Sequence, residues 1–180
     1  QKGRAAAGVM VIAKHEGRLY TLLGKRDDTR TWCNFGGKTE DGQTCLNETA
    51  AQELMEESCG LYACPAGALH QNPSHTLQLE NVTYRMYMRD FKYLKSAYFK
   101  ERMGKATAGS SLEYTDFVWV ELESLLSGNP ILHPDEGVSM VQEGFELFSD
   151  FHTMLKEPVV RNILSNWGKK DLVLSTPSDV

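Results

Sequence analysis

Nowhere in this chain do apolar residues run unbroken for the ~20 positions that a membrane-crossing helix needs, which excludes a helical membrane span. The apolar run from Ala5 to Ala13 follows Lys2 and Arg4. Its second half, Val9 to Ala13, reads as a first strand, and no leader-cleavage pattern follows cleanly. Cysteine is sparse. The four are Cys33, Cys45, Cys59 and Cys64, with no C-x-x-C pair and no Cys/His zinc spacing. That excludes a disulfide framework and points to reduced thiols and a cytoplasmic location. Positive charge is not in excess, since 19 Lys and Arg stand against 24 Asp and Glu for a net charge of −5. Nucleic-acid binding driven by overall charge is therefore excluded, though a local basic groove is not. Internal repeats and low-complexity segments are also lacking. The 180 residues suit one domain with a proper core.

The most telling lack is local. From Thr44 to Ser58 there is no Lys or Arg, yet the segment carries Glu48, Glu53, Glu56 and Glu57. The last three are spaced i, i+3, i+4, within reach of one another on a helix. Like charges at that spacing repel, and acids near a helix C-terminus oppose the macrodipole. At about 100° per residue, Glu53 and Glu57 fall on the apolar side with Leu46 and Ala50, and Glu56 lies at its border. Carboxylates facing a core need a proton, a cation or a metal. Hard divalent ions such as Mg²⁺ take carboxylate oxygens. A solvated acidic face is the plainer reading of a charge run, but here the acids share the apolar side and have no local cations.

Gly36-Gly37-Lys38, Glu40, Glu53-Leu54-x-Glu56-Glu57 and Gly60-Leu61 resemble the signature of the Nudix hydrolases. The segment Glu113-Tyr114-Thr115-Asp116-Phe117-Val118-Trp119-Val120 is similar to that family's acid-rich loop before a Trp-bearing strand. The resemblance implies an α/β fold, an α/β/α sandwich with a mixed sheet. It also implies Mg²⁺- or Mn²⁺-dependent cleavage of a nucleoside diphosphate linked to another group. Glu53, Glu56 and Glu57 would be metal ligands and catalytic residues, with Gly37 at the metal.

The chain departs from the family pattern at Gln43 (usually Glu) and at Gln52 (usually an Arg that orients the carboxylates). One extra residue lies between Gly37 and Glu53. Another lies between Glu57 and Gly60, where Ser58-Cys59 replaces a single residue.

The remaining pattern alternates strands and helices. Gly8–Lys14 and Leu19–Leu23 form an expected hairpin, followed by a polar loop over Arg26–Arg30. The acidic helix is expected over Thr44–Ser58, with Gly60 as its cap. Ala66–Gln71 is expected as a short strand, then a second hairpin over Leu77–Leu79 and Val82–Met88. Phe117–Val120 is expected as a strand and Glu121–Ser127 as a helical turn. Helical spacing of apolar residues runs over Glu136–Lys156, and Pro158 starts a last helix. One domain over residues 1–168 and a polar tail over 169–180 follow from this layout.

Several residues carry two readings. Glu113 is either a further catalytic acid or a solvated loop acid. Lys38 touches phosphate or is simply exposed. The Trp32-Cys33-Asn34-Phe35-Gly36-Gly37-Lys38 segment is similar to that of Nudix enzymes clearing oxidised purine nucleoside triphosphates, which implies base contacts from Trp32, Asn34 and Asp116. Only one acid stands where those enzymes have two, and Trp32 reads equally as core packing.

Between Arg89 and Lys105, six basic residues are interleaved with Tyr93, Tyr98 and Phe99. This is either a solvated insertion, the favoured reading, or a surface for a dinucleotide or an RNA cap. The expected partner is thus a nucleotide, with RNA less favoured and a membrane excluded. A homodimer, frequent in the family, is compatible with the sequence. A non-catalytic nucleotide-binding module is the reading from a different class, favoured by Gln43 and Gln52 and opposed by the intact glutamates.

Overall fold

The computed structural model describes residues 4–40, 45–105, 113–133 and 144–169. Its frame is a seven-stranded mixed sheet. The long first strand β1 (Arg4–His15) is buried at every residue from 6 to 13. Both of its faces are covered, so it reads as a continuous apolar run. Even positions Ala6, Met10 and Ile12 join one hydrophobic cluster. Odd positions Ala7, Val9, Val11 and Ala13 join the other. This is the period-2 alternation of a strand between two layers.

Strand β2 (Arg18–Arg26) returns antiparallel to β1, turning through Glu16 and Gly17 at positive φ. The short β3 (Trp32–Cys33) pairs with β2, and β4 (Phe35–Lys38) pairs with the first half of β1. Strand β5 (Ser74–Gln78) runs antiparallel to β6 (Val82–Asp90), and β6 lies parallel along β1 from Arg4 to Ile12. Strand β7 (Tyr114–Glu121) closes the other side against β2.

Helices α1 (Leu46–Glu57) and α2 (Ser96–Gly104) cover the odd face, contributing Ala50, Leu54 and Phe99 to its core. Helices α3 (Leu122–Ser127), α4 (Ser149–Lys156) and α5 (Pro158–Ser165) cover the other face with Leu125, Phe151, Met154, Leu155, Val160 and Leu164. The result is the expected α/β/α sandwich. No helix among the described residues is long and apolar enough to cross a membrane.

Three expectations need correction. Ala66–Gln71 is a 3₁₀ turn. Pro65 starts it, and only Leu69 is buried, so there is no alternating face to dock on the sheet. The Arg89–Lys105 stretch is not a solvated insertion, because it contains α2, whose Phe99 is fully buried against Tyr62 and Phe117. The helix expected over Glu136–Lys156 begins at Ser149 in the described part, with residues 136–143 outside it. Before it, Leu147 bridges to Trp32, and the Phe148 amide donates to the Trp32 carbonyl at 2.8 Å. That backbone is spent on β3 rather than on a helix. Gln43 and the expected tail, apart from Lys169, also lie outside the described residues.

Candidate active site

The site forms where β4, α1 and the segment entering β7 meet. Helix α1 opens at Cys45, whose amide donates to Glu48 at 3.1 Å. It closes with Cys59 and Gly60 at positive φ and a 2.8 Å bond from the Gly60 amide to the Met55 carbonyl. The extra residue after Glu57 is absorbed in this turn. The Ser58 hydroxyl bonds both the amide and the carbonyl of Tyr62. The i, i+3, i+4 spacing of the carboxylates is therefore undisturbed.

Glu53 and Glu57 are buried, as their side of the helix requires, and Glu56 is exposed. Glu53, Glu57 and the exposed Glu113 each offer an oxygen, all within 4.8 Å of one another. The Gly36 amide donates to Glu57 Oε1 at 2.7 Å. Glu57 Oε2 is buried without a partner among the described residues. Gly37 makes room for the cluster, since a Cβ there would lie 2.5 Å from Glu53 Oε1. Close approach, rather than an unusual φ, explains the glycine.

The electrostatics follow from burial and crowding. Burial, then the charges of Glu113, Glu56 and Glu40, push the Glu53 carboxyl up to about 7. Burial also raises Glu57 well above its ordinary range, and the neighbouring carboxylates of Glu113 and Glu53 add to this. The Gly36 amide opposes the shift only in part. A buried orphan oxygen, a glycine cradle and three converging carboxylates fit a hard divalent cation. Glu56 stands outside the trio. The Gln52 amide donates to Glu56 at 2.8 Å and to Glu40 at 3.3 Å, so an uncharged clamp stands where the Nudix pattern has a guanidinium.

Two cavities adjoin the trio and share Glu53 and Glu113. The smaller, about 220 Å³, is lined also by Glu56, Glu57 and Cys59. The larger, about 460 Å³, extends from Gly36, Gly37 and Lys38 past Asn34 and Tyr84 to Phe148 and Asp150. Of the expected substrate contacts, Asn34 and the exposed Lys38 line this cavity. Trp32 and Asp116 line neither. Trp32 is buried in the core and stacks on Phe145 with centroids 5.5 Å apart. Asp116 pairs with Lys100 at 3.3 Å and accepts the Phe117 amide at 2.8 Å.

The sequence reading missed Arg26, Tyr84, Phe148 and Asp150. Tyr84 was detectable as an inward position of an alternating strand. Asp150 was hidden because the long helical reading ran through the boundary at Ser149.

No family model and no curated protein matches the chain. Solved structures do. An Ap4A hydrolase binary complex from C. elegans is similar at a TM-score of 0.55 and 16% identity, covering 89% of this chain and 96% of that one. The NUDIX domain of Shewanella oneidensis NrtR, complexed with ADP ribose, is similar at 0.55 and 14%, with coverage of 91% and 90%. This chain has the Nudix fold. A MutT/nudix family protein from Enterococcus faecalis shares it at a TM-score of 0.50 and 10% identity, over 91% of this chain and 68% of that one. At such identities the likeness fixes the Nudix architecture, while the chemistry rests on the carboxylates themselves.

Proposed function

We propose that the protein is a divalent-metal-dependent pyrophosphohydrolase that cleaves a nucleoside diphosphate linked to another group. The observation that carries this is the convergence of Glu53, Glu57 and Glu113 at the junction of two cavities. Glu53 and Glu57 would hold Mg²⁺ or Mn²⁺, with Glu113 as the third carboxylate and Gly37 giving close access. When bound, the cation neutralises the diphosphate and lowers the pKa of bound water.

The chain's own groups do the rest. The Gly36 amide fixes one oxygen of Glu57 and leaves the other for the metal. Gln52 fixes Glu56, which orients the attacking water. Lys38, at the cavity rim, meets the phosphate chain. Trp32 supports the reading from behind, by anchoring the segment that carries Phe148. Asp116 ties β7 to α2 through Lys100. Structures of this fold were solved as an Ap4A hydrolase and as a domain binding ADP ribose, so dinucleoside polyphosphates and ADP-ribose belong beside oxidised and ordinary purine triphosphates as substrate candidates.

The test is a Mg²⁺-dependent hydrolysis panel with nucleoside triphosphates, oxidised dGTP, dinucleoside polyphosphates, ADP-ribose and capped RNA, run beside Glu57→Gln. Metal-dependent products that vanish in the folded variant are expected. Full turnover by Glu57→Gln would sink the metal-site assignment.

A further inference from the structure

The three carboxylates are not held alike. Glu53 and Glu57 are carried by one helix, and the Gly36 amide pins Glu57. Glu113 is exposed and sits one residue before β7 begins. Its place in the trio therefore depends on how the start of β7 is anchored.

That anchor is Tyr114. Along β7, Phe117 and Trp119 enter the hydrophobic cluster beneath α1, while Val118 and Val120 enter the opposite one. Strict alternation would send Tyr114 with the valines. It joins Phe117 instead, because the ladder slips. Asp116 faces Lys25 and Tyr114 faces Arg26, which leaves Thr115 unmatched across the ladder. This extra residue is a β-bulge, and it turns the Tyr114 ring toward α1. The buried ring packs on Phe35, with centroids 5.6 Å apart, and meets Phe117 edge-on at 6.3 Å. It also covers Gly24, where a Cβ would run into the ring carbons. Its hydroxyl donates to the carbonyl of Asn34, two residues before the amide that holds Glu57. Beside it, the Asp27 amide donates to the Glu113 carbonyl at 2.9 Å. Tyr114 and the three acids line the smaller cavity together.

We infer that Tyr114 is a positioning residue: its hydroxyl bond to the backbone between β3 and β4 sets Glu113 against Glu53 and Glu57, and so sets the affinity of the metal site. Packing alone would not do this. A phenyl ring fills the same space but leaves the start of β7 able to shift along β4. The hydroxyl bond adds direction, and it joins the third carboxylate to the strand whose amide fixes the second. The inference rests on the proposed metal site and names a residue outside the ligand set that tunes it.

The experiment titrates Mn²⁺ calorimetrically into wild type, Tyr114→Phe, Glu113→Gln and the double variant, with melting temperatures measured beside. Tyr114→Phe stays folded and binds Mn²⁺ roughly tenfold more weakly. Glu113→Gln also weakens binding, and adding Tyr114→Phe to it costs nothing further, because the hydroxyl acts through Glu113. A lower melting temperature with wild-type Mn²⁺ affinity would make Tyr114 a packing residue and overturn the inference. Losses that multiply in the double variant would also overturn it, since the hydroxyl would then act through Gly36 on Glu57. If wild type binds no Mn²⁺, the metal reading fails separately, and crystal structures of wild type and Tyr114→Phe decide. Glu113 displaced from Glu53 and Glu57 in the variant upholds the positioning role, and an unmoved Glu113 refutes it.

Discussion

Glu57 holds conflicting positions: one oxygen is tied to the Gly36 amide, and the other is buried without a hydrogen-bond partner among the described residues. A bound cation would resolve the conflict, and neighbouring residues keep it resolvable. Gly37→Ala drives a methyl into the Glu53 carboxylate. We expect the fold to persist and Mg²⁺ affinity to fall at least tenfold, read by calorimetric titration. Gln52→Leu removes the amide shared by Glu56 and Glu40. The expected effect is roughly a tenfold loss of kcat with KM little changed. A tenfold rise in KM at constant kcat would instead place Gln52 in substrate binding.

Among the elements, α2 is the one whose weight the sequence hid. Its basic residues suggested a surface insertion, but Lys100 pairs with Asp116, Arg102 bonds the Cys59 carbonyl, and Phe99 fills the core. Phe99→Ala should cost about 3–5 kcal/mol, measured by urea unfolding; a cost under 1 kcal/mol would return α2 to the surface. Helix α1 was legible because its signal is periodic: buried Glu53 and Glu57 share a face with Ala50, and Gly60 marks the end. Strands β1 and β6 were legible from apolar runs and alternation. Asp150 and Phe148 were not, because their position depends on the Trp32–Leu147 bridge, a pairing between residues more than a hundred positions apart that no local pattern records. The same holds for Glu113, which looks like any loop acid until β7 pairs with β2 and brings it to α1.

At the scale of the whole molecule, the raised Glu53 and Glu57 make stability depend on pH. Their folded pKa values exceed the ordinary carboxylate value of 4.5, with Glu53 near 7. Between these limits the folded state holds more protons than the unfolded chain, so metal-free stability falls as pH rises. The melting temperature without metal should drop from pH 5 to pH 8. Mg²⁺ should restore it at pH 8 and add little at pH 5, and Glu57→Gln should flatten the profile. A pH-independent melt in wild type would contradict this arrangement. The sheet has its own consequence for synthesis. β1 is apolar on both faces, yet its parallel partner β6 begins only at Val82. On the ribosome, the β1–β2 hairpin must wait for that partner with greasy surfaces bare. Parallel, long-range pairing of this kind folds slowly and invites aggregation. Chaperone supply during translation, rather than the strength of the finished fold, is therefore expected to set how much protein a cell recovers.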